Sequence, residues 1–270
     1  MTIVAAIQMT SGPDVQANLA DASVLLEQAA ARDARLAVLP ENFAFMGLRE
    51  ADRRRVGEPD GRGPIQAFLA ETARRLGLWI VGGTVPLSAA PDGRVAAACL
   101  VYDADGERRA RYDKIHLFDV HLPGGAERYR ESENFAPGRE PVVLETPAGR
   151  LGLSVCYDVR FPELYRLLSA RGAQLFTVPA AFTAATGRAH WEVLLRARAI
   201  ENLCAVIGAG QSGRHPNGRE TYGDSLIVDH WGRVLERLAQ GRGCITADID
   251  LAAEQRDRQS FPALEHRVLG

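Results

Sequence analysis

The chain runs through one order of elements twice. Residues 3–8 (IVAAIQ) read as a strand, 15–32 as a helix and 36–40 (LAVLP) as a second strand, and 151–156 (LGLSVC), 162–171 and 175–179 (LFTVP) repeat that order. Each half continues into another helix, 64–76 or 189–202, and then a strand, 79–85 (WIVGGTV) or 205–211 (AVIGAGQ). Each closes on a strand–turn–strand hairpin, 99–112 or 225–238, whose turns align Asp103 and Gly106 with Asp229 and Gly232. Identity between the halves is faint, so the order of elements carries the signal.

This order predicts an α/β fold in which each half forms one sheet with helices on a single face. The two bare faces must be buried, and packing them together makes a four-layer α-β-β-α sandwich with an internal pseudo-twofold. An ordinary doubly wound sheet is the alternative. With 270 residues, 46% of them hydrophobic, and no low-complexity linker, one domain over 1–270 is expected. Residues 115–146 have no counterpart in the second half and are rich in glycine, proline and charge. Long irregular insertions of this kind are usually functional or disordered, and a functional one is expected here.

Charge and cysteine usage exclude several classes. Lysine and arginine total 32 against 34 acids, dispersed along the chain, so no footprint for nucleic acid or an anionic membrane is present. No run approaches the roughly 18 apolar residues of a membrane span, and MTIVAAIQMT lacks a basic n-region. A cytoplasmic protein with a small soluble substrate is expected. The four cysteines are widely spaced without a C-x-x-C pair, so neither a zinc site nor a redox motif is signalled.

Three reactive side chains fall at strand ends. In RLGLSVCYDVRFPELYR (150–166) the alternation stops at Cys156, and Pro162 with Glu163 suits a helix's first turn. Open α/β sheets gather their chemistry at such C-terminal strand ends. Glu41 directly follows LAVLP, and Lys114 directly follows the first hairpin. Taken singly, these are a loop carboxylate, a solvated lysine and a packing cysteine; taken together they supply base, electrostatic stabiliser and nucleophile. The thiol needs a base because only the thiolate attacks. Glu41 is placed to take the proton, Lys114 to stabilise an oxyanion, and the Tyr157 backbone amide to be a second oxyanion donor.

LPENF (39–43), YDKIHLFD (112–119) and GLSVCYDVRFPELYR (152–166) resemble the three signature blocks of the nitrilase superfamily of carbon–nitrogen hydrolases, in the family's order. The resemblance implies the α-β-β-α sandwich, a homodimer or larger homo-oligomer, and a Glu-Lys-Cys triad at Glu41, Lys114 and Cys156, with no metal or organic cofactor. It also implies an auxiliary glutamate in RYRESENF, assigned to Glu131 over its neighbour Glu133. Phe182 and Thr186 match acyl-pocket positions. Arg160, just beyond Cys156, is a candidate for a substrate carboxylate, against a structural salt bridge to Asp158 or Glu163.

The later blocks resemble the branch that hydrolyses deaminated glutathione, N-(4-oxoglutaryl)-L-cysteinylglycine, to 2-oxoglutarate and Cys-Gly. An ω-amidase acting on 2-oxoglutaramate, another small amide, and a catalytically silent interaction protein are the alternatives. In this reading the 210–217 loop faces the leaving group, with Tyr222 beside it and Arg214 or His215 recognising the Cys-Gly carboxylate. Three residues depart from the branch: Asp224, His230 and Arg188. Asp224 would repel an anionic substrate unless paired.

Other constellations have structural readings. His190 and Glu192 resemble half of a deaminase H-x-E motif, but no P-C-x-x-C follows. A Cys156–His190 dyad would leave Glu41 and Lys114 unexplained. His116 is expected to shape the backbone around Lys114, and Gly82–Gly83 and Gly208-x-Gly210 to mark close backbone approaches.

Overall fold

The computed structural model describes residues 1–88, 92–121 and 128–268. The first half supplies β1 (Thr2–Gln8), α1 (Val15–Ala30), β2 (Leu36–Val38), α2 (Pro64–Leu76), β3 (Trp79–Val81), β4 (Val85–Ser88), β5 (Val95–Tyr102) and β6 (Arg108–Asp113). Between the halves lie β7 (Asp119–His121), β8 (Arg128–Arg130) and β9 (Val143–Thr146). The second half begins with β10 (Gly149–Leu153), α3 (Pro162–Ala170), β11 (Leu175–Ala180), α4 (Ala184–Asn202) and β12 (Ala205–Gly210). It ends with β13 (Ser212–Arg214), β14 (Glu220–Tyr222), β15 (Ser225–Val228), β16 (Val234–Leu238), β17 (Gly243–Ile249) and α5 (Leu251–Ser260).

Two mixed sheets result, ordered β17-β1-β2-β3-β5-β4, with β6 on β5, and β16-β15-β12-β11-β10-β9. Their apposition follows from strand alternation. Val4 and Ala6 of β1, Leu36 and Val38 of β2, and Cys99 and Val101 of β5 share one buried cluster with Leu151, Leu153, Ile207 and Ile227 of the second sheet. The intervening residues Ala5, Ile7, Ala37, Ala98 and Leu100 face α1 and α2 in the other cluster. The architecture is the four-layer α-β-β-α sandwich.

The halves also exchange strands, which the sequence pattern did not reveal. β17, at the end of the second half, pairs antiparallel with β1 of the first, and β9 pairs antiparallel with β10. The 115–146 insertion therefore does have one counterpart in the second half: its last strand, β9, matches β17. Local signals set the ends of the helices. Asp14 caps α1 by accepting from the Ala17 amide, Pro64 opens α2, and Gly77 closes it in the left-handed region at φ 60°. Thr183 caps α4, which starts at Ala184, five residues ahead of the expected 189.

The expected strand over 79–85 is broken. β3 stops at Val81 and Gly83 turns left-handed at φ 50°, where a Cβ would stand 2.0 Å from the Pro40 carbonyl oxygen. Only glycine permits that approach, and Thr84 then accepts the Asn42 amide at 2.8 Å, tying down the loop that bears Glu41.

One buried carboxylate makes stability depend on pH. Glu254 on α5 is 1% exposed, and burial raises its pKa to about 8 although Arg258 lies 3.0 Å away. A carboxyl held protonated by the fold contributes stability fully below its unfolded pKa and loses it as pH rises through about 8. The melting temperature is expected to fall between about pH 4.5 and 8, and Glu254→Gln to flatten that fall. Equal slopes in the two proteins would contradict the assignment.

Candidate active site

Three strand-end segments meet at one cleft. Glu41 follows β2, Lys114 follows β6, and Cys156 lies beyond β10, which ends at Leu153 rather than running to the cysteine. Cys156 opens a short 3-10 helix, Cys156–Arg160, at φ 48°. A non-glycine residue in that region is held there by its surroundings. Asn42, next to Glu41, is also left-handed at φ 58°.

Lys114 is the hub. Its Nζ donates to Glu41 Oε1 at 2.8 Å and to Glu131 Oε1 and Oε2 at 2.9 and 2.8 Å. Its backbone is clamped as well: Lys114 N–H donates to Ala97 O, and Gly138 N–H donates to Lys114 O at 2.9 Å. A side chain at Gly138 would meet the Asp113 carbonyl oxygen at 2.0 Å, so the insertion closes on Lys114 only through glycine. Glu41 Oε2 accepts the Ala181 amide at 2.9 Å, and Gln211 Nε2 donates to the Glu41 carbonyl at 3.1 Å. Glu131 also accepts from the Phe118 amide at 2.7 Å. Glu133 is exposed and pairs with Arg130, so Glu131 is the glutamate that reaches the cluster.

Asp158 joins the segments that bear Lys114 and Cys156. It is fully buried and accepts from Tyr112 Oη at 2.7 Å, His116 N–H at 3.0 Å and Val155 N–H at 2.8 Å, with His116 Nδ1 at 2.7 Å. His116 stacks on Phe161 at 3.7 Å and thus shapes the Lys114 loop as expected. Asp158, so committed, is not a partner for Arg160.

The electrostatics set the resting protonation. Burial opposes ionisation of Glu41, but the Lys114 ammonium outweighs it and holds the carboxyl below its ordinary range. Burial also opposes the Lys114 charge, yet Glu131 and Glu41 keep it firmly protonated. Burial and then the Glu41 charge push the Cys156 thiol well up, against the pull of Lys114. Burial likewise raises Glu131 despite Lys114. The resting cluster is therefore a neutral thiol beside a carboxylate, with an ammonium near both. Such a set can move the thiol proton to Glu41 on attack and hold a developing oxyanion at Lys114.

Tyr157, Phe182 and Thr186 all line the cleft. Tyr157 follows Cys156 within the 3-10 helix, Phe182 packs on Trp191 at 5.0 Å, and Thr186 lies in the first turn of α4. Arg160 lines it too, over Tyr157 and Phe182 at 5.9 and 5.0 Å, with Nη1 3.2 Å from His190 Nδ1. Neither Asp158 nor Glu163 pairs with it among the described residues, which removes the structural salt bridge. His190 is exposed beside Arg160, and Glu192 is held by Arg196 and Arg237. Among the described residues no group of three or more His, Cys, Asp or Glu could hold a metal ion.

The chain matches the carbon–nitrogen hydrolase family over residues 3–259. It belongs to the carbon–nitrogen hydrolases. It is 42% identical over 265 residues to a deaminated glutathione amidase of Yersinia enterocolitica, covering 97% of this chain and 92% of that protein. A deaminated glutathione amidase of Synechocystis is 42% identical over 269 residues, with 98% of both chains covered. The crystal structure of Saccharomyces cerevisiae Nit3, a member of branch 10 of the nitrilase superfamily, superposes with a TM-score of 0.89 at 30% identity, covering 99% of this chain and 97% of that one.

Two expectations about this hydrolase are corrected. Arg214 and His215 do not line the cleft: Arg214 is exposed in the β13–β14 ladder, and His215 is buried between Ser11 O and Thr221 Oγ1. Tyr222 lies outside it as well. The base that this hairpin sends to the cleft is Arg219, beyond the Asn217–Gly218 turn. An Asn-Gly pair between short strands marks a hairpin, and that reading would have turned Arg219 inward. Asp224 is buried under Arg237, which donates to both its oxygens at 2.6 and 2.9 Å, so it presents no charge to the substrate. His230 pairs with Asp257 on α5 at 2.6 Å. Nothing in the structure explains Arg188, which is exposed on α4.

Proposed function

We propose that this carbon–nitrogen hydrolase cleaves deaminated glutathione through a Cys156 acyl-enzyme. The observation that carries the reading is the Glu41–Lys114–Cys156 cluster with Glu131 on Lys114. The names of the relatives at 42% identity over nearly the whole chain support the substrate.

Attack of Sγ on the amide carbonyl passes the thiol proton to Glu41, and the oxyanion gathers between Lys114 and the Tyr157 amide. Glu41 then returns the proton to the leaving nitrogen, which departs as the amine. Water, deprotonated by Glu41, attacks the thioester, the C–S bond breaks to release the acid, and Glu41 returns the proton to Sγ. Glu131 holds the ammonium on the reacting centre by two hydrogen bonds. Arg160 binds the carboxylate of the acyl half, over the Phe182 wall. A cytoplasmic homo-oligomer fits this reading, and the exposed apolar cluster of Ile200, Trp231 and Phe261 favours assembly.

Side-by-side kinetics on deaminated glutathione and 2-oxoglutaramate test the substrate, since both share the oxoglutaryl half. A kcat/KM preference of at least about tenfold for the larger compound is expected, as one extra charge-assisted pair contributes roughly 1.5–3 kcal/mol. Preference for 2-oxoglutaramate would make the protein an ω-amidase. Failure on both would mean another amide.

A further inference from the structure

The cleft holds more positive charge than the triad consumes. Lys114 is taken by two carboxylates and Arg53 by Glu50. Arg130 pairs with Glu133. Two lining guanidiniums remain, Arg160 and Arg219, and among the described residues neither has a carboxylate within salt-bridge distance. Arg219 is held in place by other means: Nη2 donates to Ala181 O at 2.6 Å, the guanidinium lies 5.1 Å over the Tyr129 ring, and Nε is buried without a partner. A cation so fixed, offset by Glu50 and Glu41 only at longer range, suits an anion brought by a ligand.

The two arginines are held by different segments beside the thiol. Arg160 belongs to the 3-10 helix that Cys156 opens and rests on Tyr157 and Phe182. Arg219 is tied to Ala181, whose own amide binds Glu41 Oε2, and its charge reaches Glu41. The leaving nitrogen must lie on the Glu41 side, because it receives its proton there. We propose that Arg219 is the specificity residue for the leaving group, binding a carboxylate on the departing amine while Arg160 binds the carboxylate of the acyl half. The cleft thus selects amides that carry an acid on each side of the scissile bond. This deepens the amidase reading and rests on it.

The test uses Cys156→Ala protein, which needs no turnover, titrated calorimetrically with deaminated glutathione and with its C-terminal carboxamide. The two ligands differ only in the charge on the departing half. The acid is expected to bind at least about tenfold tighter, and Arg219→Gln to reduce that ratio to within about twofold, with Arg219→Lys between. Equal binding of the two ligands to the parent overturns the inference even if the Arg219 variants fail to fold, and leaves the substrate reading standing. A ratio retained in Arg219→Gln overturns it too and leaves Arg219 as a support for Ala181. If neither ligand binds, the substrate reading and this inference fall together.

Discussion

Cys156→Ala is expected to lower amide hydrolysis by at least about 10⁴-fold while the protein folds as before. The thiol is 8% exposed and its loss removes one atom from the wall of an existing cleft, so little cavity is created. Alanine also occupies φ 48° no worse than cysteine, both having a Cβ. Turnover and thermal melting measured together separate the two effects. Activity within about tenfold of the parent would remove Cys156 from the chemistry, because even one proton-transfer step contributes roughly 10²–10⁴-fold.

Glu41→Gln is expected to reduce turnover by about 10²–10⁴-fold, since the amide keeps the shape but cannot take the proton. Its effect on the thiol runs the other way. The Glu41 charge is one cause of the raised Cys156 pKa, after burial, whereas Lys114 opposes it. Removing the carboxylate should therefore lower the pH at which iodoacetamide alkylates Cys156, and Lys114→Met should raise it. Lys114→Met should also cost stability, because it leaves Glu41 and Glu131 buried without their cation. Midpoints of alkylation against pH that do not move in either variant would mean that the three groups do not interact.

Much of this site is legible in the sequence because it depends on where strands end. Alternation and strand order place Glu41, Lys114 and Cys156 at equivalent rims, and the resemblance of three short blocks assigns Glu131. What is not legible depends on partners distant in the chain. β9 is only four residues long and partly buried, and β17, although Ile245, Ala247 and Ile249 alternate with Thr246 and Asp248, carries no local sign that it pairs with β1 of the other half. The break at Gly83 is set by the approach of Pro40, forty-odd positions earlier. Asp224 looks threatening until Arg237 is seen across the hairpin. Gln211 reaches Glu41 and Ser11 from the other half, and Asp158 collects four donors from two segments. Arg219 is not legible in the strand pattern, because the direction of a loop side chain follows from its turn, here at Asn217–Gly218.

In the proposed mechanism the amide carbon passes through a thioester on Cys156. Rapid-quench mass spectrometry of the unmodified protein mixed with deaminated glutathione reads this directly. A 4-oxoglutaryl adduct is expected on the peptide containing Cys156, formed before steady state together with the first release of Cys-Gly and lost once substrate is exhausted. Release of Cys-Gly at full rate with that peptide unmodified, or with the acyl group on a different residue, would contradict it.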